Sequence, residues 1–461
     1  MKHYSILNSA AKYALDYLDE LPKRRVFPGA ESLQMLNKFS MPLPDSGTSA
    51  EEVIDLLTSA GNANTVATNS GRYFGFVFGG TIPASLAASW LVSAWDQNAV
   101  FKVSSPVASQ VEKITANWLL DLLQLPKESA VGFLTGTTMA NFCGAVAARY
   151  HLSKQLGWDI TAKGMTNAPS IRVIVGQEVH ASMQRALILA GFGLDNLIRV
   201  PTDDQGRIIT ENFPEMDEST LVCLQAGNVN TGAIDPVKDI CLDAKAKGAW
   251  VHIDGAFGLW ARVSPKKLSL ADGCELADSW AIDLHKWLNV PYDSGLVICR
   301  YPEVLQNALS VSGAYLPQST EPDPYFFTPE MSRRARGIET WAALYSLGRE
   351  GVIDLIERCC AHAERFANNL KAAGFQILNE VVLNQVLVSF GNANLTNAII
   401  KKIQDDGTCW CGGTIWKEQT AMRISVSSWM TTEQDIETCS TAIIRIANEE
   451  IKKAKGELHG K

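Results

Sequence analysis

The feature that most constrains this chain is a rhythm. Between residues 171 and 299 five short runs rich in β-branched and apolar residues recur: Ile171-Arg-Val-Ile-Val175, Leu221-Val-Cys-Leu224, Trp250-Val-His-Ile253, Ser279-Trp-Ala-Ile282 and Leu296-Val-Ile-Cys299. Each is four or five residues long, and helical patterns or loops lie between them. Runs this short and apolar read as strands buried on both faces. Strands that alternate with helices pair in parallel through crossovers. The rhythm therefore predicts an α/β fold, a mainly parallel sheet covered by helices on both sides. Such sheets place their sites at the carboxyl ends of the strands, so chemistry is sought just past each run.

The two ends of the chain have a different texture. Residues 1–85 read as a helical arm: an amphipathic first helix, a stretch punctuated by Pro28, Gly29, Pro42 and Pro44, then a helix from Ala50 to Leu57 led by Asp45 or Ser46 and ended near Gly61. Residues 86–330 form the large domain, and 331–461 a smaller α+β domain with strand candidates at Val381 to Phe390 and Ala421 to Val426. Ser312 to Glu330, with Pro317, Pro322, Pro324 and Pro329 and a single glycine at Gly313, reads as a long ordered loop. The most apolar stretch, Ile82 to Trp95, is too short to span a bilayer and contains Ser85, Ser89 and Ser93; it is expected to be a buried helix. The amino terminus carries acids and lacks the apolar core of a signal peptide.

Charge and cysteine usage narrow the function classes. With 41 basic against 49 acidic side chains the formal charge is -8, which disfavours nucleic-acid and anionic-membrane partners. The 10 cysteines show no CxxC pair and no Cys/His cluster. No metal site is expected, and buried reduced thiols in a cytoplasmic protein are.

Four elements carry chemistry. Asp254 follows the run ending at Ile253 and precedes Gly255 and Ala256, so an acid stands at a strand end beside small residues, where a flat ligand fits. Lys286, 32 positions later in His285-Lys286-Trp287, follows its own strand in the same way. A lysine near strand ends in an apolar setting is a candidate for imine formation. Leu134-Thr-Gly-Thr-Thr-Met-Ala-Asn141 leads into an apolar-periodic helix. Its Gly136, Thr137 and Thr138 offer free N–H groups, hydroxyls and the positive end of a helix dipole, which suit a phosphate. His180 stands just beyond the run ending at Val175, where an imidazole can stack on an aromatic ring. Singly, each has an ordinary reading: a solvated lysine, a threonine cap, a satisfied histidine.

Together, in this order and at these intervals, they resemble the group II pyridoxal 5'-phosphate (PLP) dependent decarboxylases, which include aromatic amino acid and glutamate decarboxylases. The resemblance covers roughly residues 60–440 and is most specific at DGA followed by HKW. Arg72-Tyr-Phe-Gly-Phe76, Ala226-Gly-Asn228 with Thr231-Gly-Ala-Ile-Asp-Pro236, and Ser332-Arg-Arg-Ala-Arg336 with Trp341 extend it. It implies the aspartate-aminotransferase-like fold (PLP fold type I) and a homodimer with sites at its interface. It also implies PLP held as a Schiff base on Lys286, Asp254 on the pyridine nitrogen, and His180 and Ala256 on the two ring faces. Thr137, Thr138 and His285 then contact the phosphate, and Asn228 lies near the phenolic oxygen. The reaction implied is decarboxylation of an L-amino acid to its amine. A carbon-carbon lyase or aldehyde-forming enzyme is the alternative on the same scaffold, and a catalytically silent PLP-binding protein a third reading.

The sequence departs from the family pattern at Met139, where an acid is common, at Asp283-Leu284 in place of Asn-Pro, and at Ser70-Gly71 in place of His-Pro. An acid at 283 would repel a phosphate dianion, so its side chain is expected to point away. Tyr73, Phe74 and Phe76 favour an apolar or aromatic substrate side chain, whereas Arg72 and Arg336 offer partners for an acidic one. In the resembling decarboxylases a loop before the Arg-rich segment brings a tyrosine to the site. Tyr325, eight residues before Arg333, takes that place here, with Tyr315 as its competitor and aromatic packing as the plain alternative.

Overall fold

The computed structural model describes residues 4–310 and 322–459. Contacts divide the chain into two compact units, one of Gly79–Glu364 with Asn379–Gln385, the other of Met1–Phe78, Arg365–Leu378 and Val386–Lys461.

The larger unit is built on a seven-stranded sheet. Its strands are β1 (Ala130–Leu134), β2 (Arg172–Gly176), β3 (Leu197–Val200), β4 (Thr220–Gln225), β5 (Trp250–Asp254), β6 (Ser279–Asp283) and β7 (Gly295–Cys299), in spatial order β1-β7-β6-β5-β4-β2-β3. Strands β3, β2, β4, β5 and β6 are mutually parallel, and β7 runs antiparallel to both β6 and β1. All five expected runs are strands, and the sheet is mainly parallel as expected. Strands β4 to β7 are buried over almost every residue. This fits their near-continuous apolar sequence, which leaves no face for water.

One helix does most to position the site. Thr137–Gln155 follows β1 and packs across β5, β6 and β7. Its buried positions are mostly small, among them Ala140, Cys143, Gly144, Ala147 and Ala148, so its backbone approaches the sheet closely. A Cβ at Gly144 would run into the imidazole of His252 on β5. Four buried tryptophans, Trp250, Trp260, Trp280 and Trp287, fill the space around β5 and β6. Each buries roughly 150–250 Å², about 4–6 kcal/mol of apolar burial at the upper bound. Three of them place their indole N–H on Ser279 Oγ, Asp283 O and Cys274 O.

In the smaller unit the strands β8 (Gln376–Ile377), β9 (Gln385–Ser389), β10 (Gly412–Trp416) and β11 (Gln419–Ser425) form a sheet in the order β10-β11-β9-β8, with the helices Ala393–Asp406 and Glu433–His459. The helix expected from Ala50 runs Ala50–Gly61, but its cap is Ser49 rather than Asp45 or Ser46. Ser49 and Glu52 form a reciprocal capping box, which satisfies two otherwise free N–H groups at once.

The helix expected to be buried, observed as Pro83–Trp95, is not: Trp90, Leu91 and Trp95 are exposed. All ten cysteines are free and buried. Among the described residues no helix is long and apolar enough to cross a membrane, and no cluster of His, Cys, Asp or Glu could hold a metal ion.

Candidate active site

The carboxyl ends of β5 and β6 and the first turn of Thr137–Gln155 meet in the larger unit. Asp254 is the last residue of β5 and only 5% exposed. Its Oδ1 accepts the N–H of Ala256 at 3.3 Å, and its Oδ2 accepts the amide of Asn141 at 3.0 Å. Behind Asn141 stands a chain of bonds. Trp250 Nε1 donates to Ser279 Oγ at 3.0 Å, Ser279 Oγ lies 2.8 Å from His252 Nδ1, and His252 Nε2 lies 2.9 Å from Asn141 Oδ1. The indole can only donate and the carboxylate only accept, so every bond in the chain runs toward Asp254. His252 is buried, and burial pushes its pKa down to about 3, so it works as a neutral ring. It holds Asn141, and Asn141 holds the acid.

The second half of the site gathers on Asp283, the last residue of β6. Its Oδ2 lies 2.8 Å from Lys286 Nζ, and its Oδ1 accepts the N–H of Thr137 at 2.6 Å and lies 3.5 Å from His285 Nε2. The expectation that this side chain points away is therefore wrong. The N–H groups of a helix start and a lysine ammonium attract a carboxylate more strongly than a turn outward would relieve it. His285 is fixed from its other side: Nδ1 accepts the N–H of Ser294 at 3.2 Å, and its ring lies 4.3 Å from that of Tyr292. Burial lowers the pKa of His285 despite the neighbouring Asp283.

The turn at Gly136 and Thr137 has the shape of a small-anion cradle. A Cβ at Gly136 would lie 3.0 Å from His285 Cε1 and 3.1 Å from Asp283 Oδ1, so the turn leaves no room for a side chain. The hydroxyl of Thr137, a residue 4% exposed, has no protein partner. A buried hydroxyl left alone is costly, so an absent acceptor is the natural complement. Thr137 and Asn141 are one helical turn apart, so a single helix addresses the cradle and Asp254 together. A donor set of helix N–H groups, an unpaired hydroxyl, an imidazole, a primary amine and a distant buried acid fits a phosphorylated pyridine aldehyde.

A family model for the pyridoxal-dependent decarboxylase conserved domain matches residues 40–391. The chain belongs to the pyridoxal-dependent decarboxylase family. The decarboxylase is 26% identical over 449 residues to an aromatic-L-amino-acid decarboxylase of Bacillus atrophaeus, covering 92% of this chain and 91% of the relative. It is 27% identical over 362 residues to an acidic amino acid decarboxylase of Mus musculus, covering 75% and 65%. Its fold is similar to the crystal structure of Oryza sativa TDC with PLP and tryptamine, with a TM-score of 0.88 at 21% sequence identity over 96% of this chain and 97% of that one. The fold is thus aspartate-aminotransferase-like, the cofactor is PLP, and the reaction is decarboxylation of an amino acid to its amine.

The remaining sequence candidates in the decarboxylase are placed as follows. His180 caps the helix Ala181–Leu189: its Nδ1 accepts the N–H of Ser182 at 3.2 Å and lies 2.7 Å from Ser182 Oγ. Nδ1 as acceptor puts the ring proton on Nε2. Asn228 is buried past β4 and spends its Oδ1 on the N–H groups of Asn230 and Thr231, at 2.9 and 3.3 Å. Ala256 and Thr138 are partly buried beside Asp254 and Thr137 in the chain.

Tyr325 lies in the short turn Pro324–Phe327, is 6% exposed, and packs against Phe101 and Phe326 with ring centroids 5.2 and 4.4 Å away. Tyr315 lies outside the described residues. In the smaller unit Tyr73 stacks on Trp410 at 5.0 Å, Phe76 lies 5.3 Å from the same ring and is 52% exposed, and Phe74 is buried edge-on against Phe366.

Asn141, His252 and the inward orientation of Asp283 are the parts that sequence reasoning missed. Two signals were available. His252 and Asp254 are two apart on a strand and so share a face; Thr137 and Asn141 are four apart on a helix and so share another.

Proposed function

We propose that the decarboxylase acts on an L-amino acid whose side chain is aromatic or otherwise apolar. The observation that carries this is the commitment of both arginines offered for an acidic side chain. Arg72 donates to the carbonyls of Thr408, Pro22 and Arg24 at 2.7, 3.2 and 2.6 Å. Arg336 pairs with Asp293 at 2.7 Å. Tyr73, Phe74 and Phe76 are assigned to the substrate side chain. Phe76 also has a φ of 54°, a backbone conformation that costs a bulky residue on the order of 1–3 kcal/mol and often marks a functional site. Amine and carbon dioxide release should be measured across phenylalanine, tyrosine, tryptophan, leucine, glutamate and aspartate. A kcat/KM higher for the acidic substrates would overturn the assignment.

When bound, PLP supplies the electron sink that accepts the pair left by departing carbon dioxide. The chain's own residues do the rest in this reading. Lys286 provides the amine that carries the cofactor. The N–H groups of Thr137 and Thr138, the free Thr137 hydroxyl and His285 hold the phosphate. Asp254, steadied by Asn141, keeps a proton on the pyridine nitrogen. His180 and Ala256 bound the ring on its two faces, and Asn228 shapes the turn beside the phenolic oxygen.

Tyr325 is assigned as the donor that returns a proton to Cα, against the alternative that its ring only anchors the loop. Its burial on Phe101 and Phe326 favours the anchor; its place before the Arg-rich segment favours the donor. Tyr325→Phe keeps the packing and removes the hydroxyl. As donor, it should retain carbon dioxide release and, in air, lose amine yield to aldehyde, with dissolved dioxygen as the oxidant reduced to hydrogen peroxide and the nitrogen released as ammonia. Unchanged rate and all-amine product would leave Tyr315 as the next candidate.

A homodimer is proposed on the exposed apolar side chains of two helices, Leu7 and Leu15 on Ser5–Glu20 and Trp90, Leu91 and Trp95 on Pro83–Trp95. Association would bury them, the arm 1–85 included. Sedimentation should give twice the chain mass, and an active monomer at high dilution would contradict it. Ten reduced thiols support a cytoplasmic location, which cell fractionation reads directly.

A further inference from the structure

Asp283 is an anion standing where the site is built to receive one. It is 3% exposed, yet no water is needed to satisfy it: Thr137 N–H serves one oxygen at 2.6 Å and Lys286 Nζ the other at 2.8 Å. Burial alone would push its pKa up, but Lys286, His285 and the Thr137 N–H outweigh burial and hold it below the usual carboxylate range. It is therefore charged at neutral pH. The N–H it occupies belongs to the same residue whose hydroxyl is left without a partner. A Cβ at Gly136 would also be within 3.1 Å of its Oδ1, so the carboxylate fills the turn.

We propose that Asp283 is a resident counter-anion, occupying the Thr137 N–H and the Lys286 ammonium in the cofactor-free protein and yielding that N–H to the phosphate when the cofactor enters. This rests on reading the Gly136 turn as the phosphate site. Two consequences follow from charge alone. The cofactor-free protein is internally neutralised, because a helix start and an ammonium are both paired without an external ion. Phosphate affinity is lowered, because two anions compete for one group of donors. An asparagine at the same position would still accept the Thr137 N–H, and its amide would add a donor for a phosphate oxygen. Asp283 is thus a positioning residue, setting how readily the cofactor is taken up and where the amine of Lys286 waits.

The test uses the full chain stripped of cofactor and titrated calorimetrically with 4'-deoxypyridoxine 5'-phosphate. This probe has the ring and the phosphate but no aldehyde, so it cannot bond to Lys286. Asp283→Asn should bind it about tenfold more tightly than wild type or better. Asp283→Ser should move in the same direction, and it serves if the first variant fails to fold. Phosphate-free pyridoxine should bind all three proteins alike. The stripped Asp283→Asn protein should also melt at a lower temperature than stripped wild type and gain more from the probe. Wild-type affinity equal to or above that of both variants overturns the proposal. So does a gain that appears equally with pyridoxine. Failure of the probe to bind any of the three proteins would instead overturn the phosphate-site reading, and the inference with it.

Discussion

Lys286→Ala is expected to abolish turnover and covalent cofactor retention together. Lys286 is the one lysine in the cluster formed by Thr137, Asp283 and His285, and its side chain is 18% exposed, open enough to meet a ligand. Borohydride reduction of the wild-type holoenzyme, followed by peptide mapping, should leave a pyridoxyl group on Lys286. A pyridoxyl group on another lysine, or measurable turnover in the variant, would overturn the assignment. The substitution has a second effect that separates chemistry from stability. It leaves the buried Asp283 with only His285 and the Thr137 N–H, so the cofactor-free protein should lose part of the about 3–5 kcal/mol that breaking a buried ion pair costs. Adding Asp283→Asn removes the stranded charge. The double variant should therefore regain melting temperature and no turnover.

The larger sheet was legible because its central strands are buried on both faces, and burial writes itself as an unbroken apolar run. The two strands that were not read, β1 and β3, are its edges. β3 is only partly buried, so its sequence LIRV has no clear pattern. β1 contains Gly132, a residue that weakens any strand signal. The glycine has a tertiary cause: a Cβ there would run into the carbonyl of Phe327, a residue almost 200 positions away. Likewise β10 opens with Gly412 and Gly413.

The candidate site divides in the same way. Lys286, Asp254 and Thr137 were readable because each stands at the end of a recognisable element. Asn141 and His252 were not, since their role lies in touching each other across a helix–sheet interface. Asp283 was misread for a related reason: charge repulsion with a ligand was weighed, and attraction to the lysine and helix start was not.

Asp254→Ala should lower kcat by about 10²–10³-fold, the usual scale for removing one preorganised electrostatic partner of a developing charge, while cofactor is retained through the phosphate and Lys286. The alanine variant also strands two buried donors, the amide of Asn141 and the N–H of Ala256, at a cost of about 1–3 kcal/mol each. Lost activity in it would therefore mix chemistry with disorder. Asp254→Asn separates them. Its side-chain oxygen can still accept one of these N–H groups and its shape is unchanged, but it carries no charge to hold a proton on the pyridine nitrogen. It should melt between Asp254→Ala and wild type, since it leaves one of the two donors unpaired rather than both, and still lose most of kcat. Asn141→Ala leaves the acid charged and removes one of its two tethers, so it should lose less, with the same sign. Wild-type kcat in Asp254→Asn would show that the buried acid is structural. A deficit in Asn141→Ala as large as in Asp254→Asn would show that orientation of the acid, rather than its charge, limits the reaction.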